Sequence, residues 1–280
     1  MPFTGFGRIG EALRRSTVQV KSGRRSVGSG IIWDANGVVV TNSHVARGPE
    51  LRIELWDGRE FPARVSSRDV RRDLAALEAQ AGRLESIRAG DSSQLRPGEL
   101  VIAVGNPLGF IGALSTGVVH AVGPCRGLGP AVWVQTDVRL APGNSGGPLA
   151  DANGLVVGVN AMVISGGLGL AVPSNTVADF LAHGASGWLG VTVRPVSLPD
   201  RSAPGLLVLE VAEGSPAEAA SLRTGDVLIG ADGQMFRSPE DLSLAIDRAG
   251  RGVLTLVFLR GDRMRVREVA VRLGGLQAAA

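Results

Sequence analysis

The chain has 280 residues, 44% of them apolar, with 40 glycines, a single cysteine and a formal net charge of +3. That length suits two compact domains. The small charge gives no ground for a nucleic-acid track, lone Cys125 excludes an internal disulfide, and no apolar run approaches the ~20 residues that span a bilayer.

The first residues spell Gly5-Phe6-Gly7-Arg8-Ile9-Gly10. This has the spacing of a dinucleotide fingerprint, but no strand precedes it and no βαβ unit surrounds it. The start also lacks the basic lead and apolar core of a secretory signal. The expected compartment on this sequence is therefore the cytoplasm, or the periplasm if an export segment is missing.

From Thr17 to about Pro173 short β-branched or alternating runs follow one another. They are Thr17–Val20, Gly30–Trp33, Val38–Thr41, Leu51–Leu55, Leu74–Leu77, Leu100–Val104, Gly117–Val122, Trp133–Thr136 and Leu155–Val159. Turn signals such as Asn36-Gly37 and Asp57-Gly58 separate them, as in antiparallel barrels or sandwiches. Pro173–Gly184 then reads as a helix stopped by glycine, and Ala185-Ser186-Gly187 as a linker. In the remaining ninety-odd residues, Ser215-Pro216-Ala217-Glu218 and Ser238-Pro239-Glu240-Asp241 are capping boxes with proline at the first helical position. Val253–Leu259 and Val266–Val271 read as a closing hairpin. This second unit is small and α+β.

The chemistry resides in the first unit. Ser145 lies in Gly143-Asn144-Ser145-Gly146-Gly147, where glycines permit a turn that aims backbone N–H groups at one point. A serine is a weak nucleophile without a base. His44 follows the Val38–Thr41 run, and Asp73 opens the Leu74–Leu77 run. Each alone reads as an ordinary turn or surface residue. Together, in the order His, Asp, Ser, they supply a nucleophile, a base and an orienting carboxylate, with the N–H groups of Gly143 and Ser145 as an oxyanion hole. His120, in an apolar run, and His183, at a helix end, read as structural. An α/β-hydrolase elbow is excluded by the absence of alternating strands and helices and of a suitable histidine after Ser145.

Thr41-Asn42-Ser43-His44-Val45, Asp73-Leu74-Ala75-Ala76-Leu77, Gly105-Asn106-Pro107-Leu108-Gly109 and Gly143–Leu149 resemble the motifs of HtrA/DegP-type serine proteases, and the likeness runs from about Thr17 to the end. It implies a mostly β fold: a chymotrypsin-like double β-barrel over residues 17–184, after an N-terminal segment 1–16, and a small α+β PDZ domain over 187–275. It implies no metal and no organic cofactor. By the same resemblance, Leu140, Val163 and Ile164 line the primary specificity pocket and favour a small or medium aliphatic residue before the scissile bond. Arg139 departs from the small residue expected there and is expected to point away, since an unpaired buried guanidinium is costly. Trp188-Leu189-Gly190-Val191 resembles a carboxylate-binding loop, whose N–H groups would receive the C-terminus of a peptide added as a strand. Expected partners are unfolded protein or peptide substrates, C-terminal peptides at the PDZ groove, and two further copies in a homotrimer, with Phe3 and Phe6 as apolar anchors. The alternative from another class is a non-proteolytic peptide-binding chaperone or adaptor on the same scaffold.

Overall fold

The computed structural model describes residues 6–274 apart from 24, 49, 126, 129, 130, 165, 185, 186, 199–203 and 239. Phe3, Ala185, Ser186, Pro239 and the side chain of His183 therefore lie outside the described residues. The chain divides into two compact units, Met1–Ala182 and His183–Ala280.

The first unit opens with a helix that the sequence pattern does not announce, α1 (Gly7–Arg15), and continues in twelve strands. β1 (Thr17–Ser22), β2 (Arg25–Ile32), β3 (Val38–Thr41), β4 (Leu51–Glu54), β5 (Glu60–Asp69) and β6 (Leu74–Ala79) close into a barrel of order β1-β2-β3-β6-β5-β4. Its antiparallel ladders leave no free edge. Alternation decides which side chains fill it: in β4, Leu51 and Ile53 are buried while Arg52 and Glu54 lie towards the surface. Val18, Val20, Ile32, Val39, Ile53, Ala75 and Leu77 form its core.

β7 (Leu100–Gly105), β8 (Ala113–Pro124), β9 (Val132–Thr136), β10 (Pro148–Asp151), β11 (Val156–Val163) and β12 (Gly169–Pro173) close the second barrel in the order β10-β11-β12-β9-β8-β7. Val101, Val119, Val134, Leu149 and Val157 are among its core residues. α2 (Ser174–His183) ends before Gly184, whose φ of +80° suits a glycine stop. His120 is exposed on β8. Its side chain is 43% exposed, with Nε2 3.6 Å from the Asp137 carboxylate.

The second unit is a sheet of β13 (Val191–Val196), β14 (Gly205–Val211), β15 (Val227–Ala231), β17 (Val253–Arg260) and β18 (Asp262–Arg272) in that order, with β16 (Gln234–Met235) paired to β15. α3 (Pro216–Ala219) and α4 (Glu240–Ala249) complete it. The Ser215 hydroxyl accepts the Glu218 N–H at 3.1 Å, and the Glu218 carboxylate reaches back to the Gly214 N–H at 2.7 Å. At α4 the Asp241 carboxylate accepts the Arg237 and Ser238 N–H groups at 2.6 and 3.1 Å. These donors hold its pKa below the usual aspartate value. Leu242, Ala245 and Ile246 turn α4 onto a core with Leu206, Leu228, Leu254 and Leu256.

Candidate active site

His44 and Asp73 are joined by two adjacent strands. Thr41, at the end of β3, pairs with Ala75 near the start of β6, so the residues just after one strand and just before the other are neighbours. The Asp73 carboxylate lies 2.8 and 3.0 Å from His44 Nδ1 and also accepts the His44 backbone N–H at 3.1 Å. Asn42, fully buried, donates from Nδ2 to the Asp73 carbonyl at 3.0 Å. The His44 side chain is 40% exposed and that of Asp73 16%, so the imidazole is open to a substrate while its orienting partner is sheltered.

Ser145 comes from the second barrel, in the loop before β10. Ser29 seats that loop on the first barrel. The Ser29 N–H donates to the Ser145 carbonyl at 2.8 Å. The Ser29 hydroxyl donates to the Gly143 carbonyl at 2.7 Å and accepts the Asn106 N–H at 2.9 Å. A Cβ on Gly28 would lie 2.8 Å from the Val45 side chain and 3.0 Å from the Ser145 carbonyl, so the His44 turn and the Ser145 loop converge on one glycine. Gly146, at φ +87°, has no room for a Cβ against the Ser29 carbonyl and the Thr41 hydroxyl. Asn160 grips the far side: its carbonyl accepts the Gly146 N–H at 2.8 Å and its own N–H donates to the Gly147 carbonyl at 2.9 Å.

The Ser145 hydroxyl does not reach the imidazole in this state. It donates to the Ala161 carbonyl at 2.8 Å, and no hydrogen bond joins it to His44. The turn around it leaves two donors unused. The Asn144 N–H donates to the Ala141 carbonyl and the Gly146 N–H to Asn160, whereas the N–H groups of Gly143 and Ser145 have no acceptor among the described residues. Gly143 has φ +104°, and a Cβ there would lie 2.7 Å from the Asn106 carbonyl and 2.9 Å from Pro107 Cα.

Leu140 packs at the rim of the second core, 3.2 Å from where a Cβ on Gly169 would sit. Gly169 pairs across to Val163, and the Ile164 N–H donates to the Leu168 carbonyl at 2.9 Å. Leu140 and Val163 thus flank Gly169, and Ile164 follows in the same loop. Arg139 is exposed. Among the described residues no cluster of histidine, cysteine and carboxylate side chains could hold a metal ion.

In the second unit, Trp188 bridges to Gly274, its N–H donating to the Gly274 carbonyl at 2.8 Å. The Leu189 and Gly190 carbonyls accept the Ala217 and Ala212 N–H groups, both at 2.9 Å. The Leu189 and Gly190 N–H groups have no acceptor among the described residues. Gly190 has φ +83°, and a Cβ would collide with Ser215. Among the described residues β13, beginning at Val191, pairs only with β14.

Residues 28–159 match the trypsin-like peptidase domain, and residues 170–277 match the GRASP55/65 PDZ-like domain. A probable periplasmic serine endoprotease DegP-like of Hahella chejuensis is 37% identical over 277 residues, covering 91% of this chain and 58% of that protein. Its counterpart in Halomonas elongata is 37% identical over 274 residues, covering 90% and 57%. The chain thus spans little more than half the length of those relatives. Among solved structures, the HtrA-type protease AlgW with a decapeptide superposes with a TM-score of 0.77 at 26% identity, over 99% of this chain and 100% of that one. The serine endoprotease from Yersinia pestis shares the fold with a TM-score of 0.76 at 23% identity, over 98% and 99%. With two closed six-stranded barrels leading into a PDZ-like unit, and with relatives of this kind along nearly its whole length, the chain belongs to the HtrA/DegP-type family of trypsin-like serine proteases.

Proposed function

We propose that the chain is a serine endopeptidase that cleaves unfolded or misfolded proteins. The observation that carries this reading is the His44 imidazole held 2.8 Å from the Asp73 carboxylate, beside a serine loop with two unused N–H groups. For the reaction the Ser145 hydroxyl exchanges the Ala161 carbonyl for His44 Nε2. The imidazole then takes the hydroxyl proton as Ser145 Oγ attacks the scissile carbonyl. Asp73 keeps Nδ1 protonated and stabilises the imidazolium, which returns the proton to the leaving amine. The Gly143 and Ser145 N–H groups receive the oxyanion, a contribution of about 3–4 kcal/mol per donor in comparable sites. Water repeats the cycle on the acyl-enzyme.

Leu140, Val163 and Ile164 supply an apolar pocket suited to a small or medium aliphatic side chain before the cut. Such a pocket discriminates by only about 1–3 kcal/mol per methylene. The peptidase domain spans residues 17–184 and the PDZ domain 187–275. In the latter, the free N–H groups at Leu189 and Gly190, with Trp188 and Val191 on either side, receive a C-terminal carboxylate. The peptide adds to the open edge of β13. AlgW, solved with a decapeptide, supports a peptide as the ligand class. A homotrimer through the N-terminal segment follows from family membership. The DegP-like relatives are described as periplasmic, which favours the periplasm over the cytoplasm. Among the described residues no helix is long and apolar enough to cross a membrane.

Cleavage-site mapping on a permanently unfolded protein tests the reading. The expected result is cuts after aliphatic residues by the wild type and none by Ser145→Ala. Capture of the unfolded protein without cuts by either form would instead establish the adaptor alternative.

A further inference from the structure

The β5–β6 hairpin closes through Val70-Arg71-Arg72-Asp73, between the paired residues Asp69 and Leu74. Asp73 has φ +52°, in the left-handed region that costs residues with a Cβ roughly 1–2 kcal/mol. Apolar packing does not hold this turn: Val70 is 53% exposed and Arg71 is on the surface. Hydrogen bonds hold it. The Asp69 side chain, 1% exposed, accepts the Arg72 N–H at 3.0 Å, and its second oxygen faces Arg72 Nε at 3.8 Å. Burying a carboxylate is expensive unless it is bonded, so this group marks a place where the backbone must be fixed. Pinning the Arg72 N–H sets the peptide plane one residue before Asp73. The Asn42 amide pins the Asp73 carbonyl on the other side. The Cα of Asp73 is braced from both directions, and its carboxylate is thereby aimed at His44.

We infer that Asp69 is a positioning residue for catalysis: it touches neither His44 nor substrate, but holds Asp73 in the left-handed conformation that places its carboxylate on the imidazole. This rests on the endopeptidase reading above. A displacement of about 1 Å in such a constellation costs on the order of 10²-fold in rate, and the loss cannot exceed the roughly 10⁴-fold of removing the orienting carboxylate's charge.

The test is steady-state cleavage of a peptide substrate by Asp69→Ala, Asp69→Asn and Asp69→Glu in the full chain, with folding checked by circular dichroism. Asp69→Ala, which leaves the Arg72 N–H without its acceptor, should lower kcat by about ten- to a hundredfold. KM should change little, because Asp69 does not face the substrate. Asp69→Asn keeps an acceptor of the same shape and should restore most of kcat. Asp69→Glu, which moves the acceptor by one methylene, should fall with the alanine variant and serves alone if that variant does not fold. Wild-type kcat in Asp69→Ala or Asp69→Glu, equal losses in Asp69→Asn and Asp69→Ala, or a loss confined to KM would each overturn the inference. A wild type that cleaves nothing would sink the endopeptidase reading itself, a different outcome from an active wild type indifferent to residue 69.

Discussion

Gly143 and Gly58 separate two reasons for glycine. Both have positive φ, +104° and +85°, but only Gly143 faces backbone at contact distance; a Cβ on Gly58 meets nothing within 4 Å. Gly58→Ala should therefore cost about 1–2 kcal/mol of stability, the left-handed penalty alone, and leave turnover unchanged. Gly143→Ala must push away the Asn106 carbonyl and Pro107, and the displaced loop takes the first oxyanion donor with it. Its kcat should fall by about 10²–10³ with KM nearly constant. Thermal melts and steady-state kinetics on the two variants check this. Equal turnover in both would remove Gly143 from the oxyanion hole. The neighbouring Ser145 hydroxyl is held by the Ala161 carbonyl at 2.8 Å. On the endopeptidase reading, attack requires this hydroxyl to give up the Ala161 carbonyl for the His44 imidazole.

Among the elements, α1 behaves as a clasp within the first unit. Its Arg14 and Arg15 guanidiniums lie 4.7 and 5.0 Å from the Trp56 ring, beyond β4 of the first barrel. Gly10 and Gly112 fit Leu114 and the Arg14 stem between helix and second barrel. Glu11 holds both arginines, at 2.8–2.9 Å, and these bonds lower its carboxyl pKa to about 2. A depressed carboxylate stabilises the fold above its ordinary value of 4.5 and loses that contribution as pH falls towards 2. Amide exchange across residues 7–15 should thus be faster in Glu11→Gln than in the wild type at neutral pH. The difference should shrink steadily below pH 4.5 and be lost as pH falls through 2. Equal exchange in the two forms at neutral pH would assign the clasp to stacking on Trp56 alone. This helix is illegible in the sequence because Gly-Arg-Ile-Gly-Glu-Ala-Leu-Arg-Arg carries two glycines and no N-terminal cap, so tertiary contacts override a poor local propensity. β5 is hidden in the same way, by Pro62 and its interleaved charges, although it pairs with both β4 and β6. β3 and β6, by contrast, are plain from their apolar runs, and they are the strands that bring His44 and Asp73 together. The proposed triad is legible because its residue types suit that chemistry. Asp69 and Asn42 are not, because an aspartate before a turn and an asparagine after a strand look ordinary until their burial is known.

At the scale of the molecule, the proposed catalysis draws on three segments that are distant in sequence. Residues 42–45 and 69–74 belong to the first barrel, and residues 143–147 to the second. Ser29 and Gly28 join them. The PDZ-like unit has its own core and sheet and repeats the same logic in miniature, with unused N–H groups beside an open strand edge. Neither unit needs a metal or an organic group for the chemistry assigned to it. Active-site labelling tests the convergence most directly. A fluorophosphonate probe reacts only with a serine whose proton a base can remove. It should modify the wild type at Ser145, leave Ser145→Ala unmodified, and react far more slowly with His44→Ala. A wild type that resists the probe, or a His44→Ala variant labelled at the wild-type rate, would contradict the pairing of this serine with this imidazole.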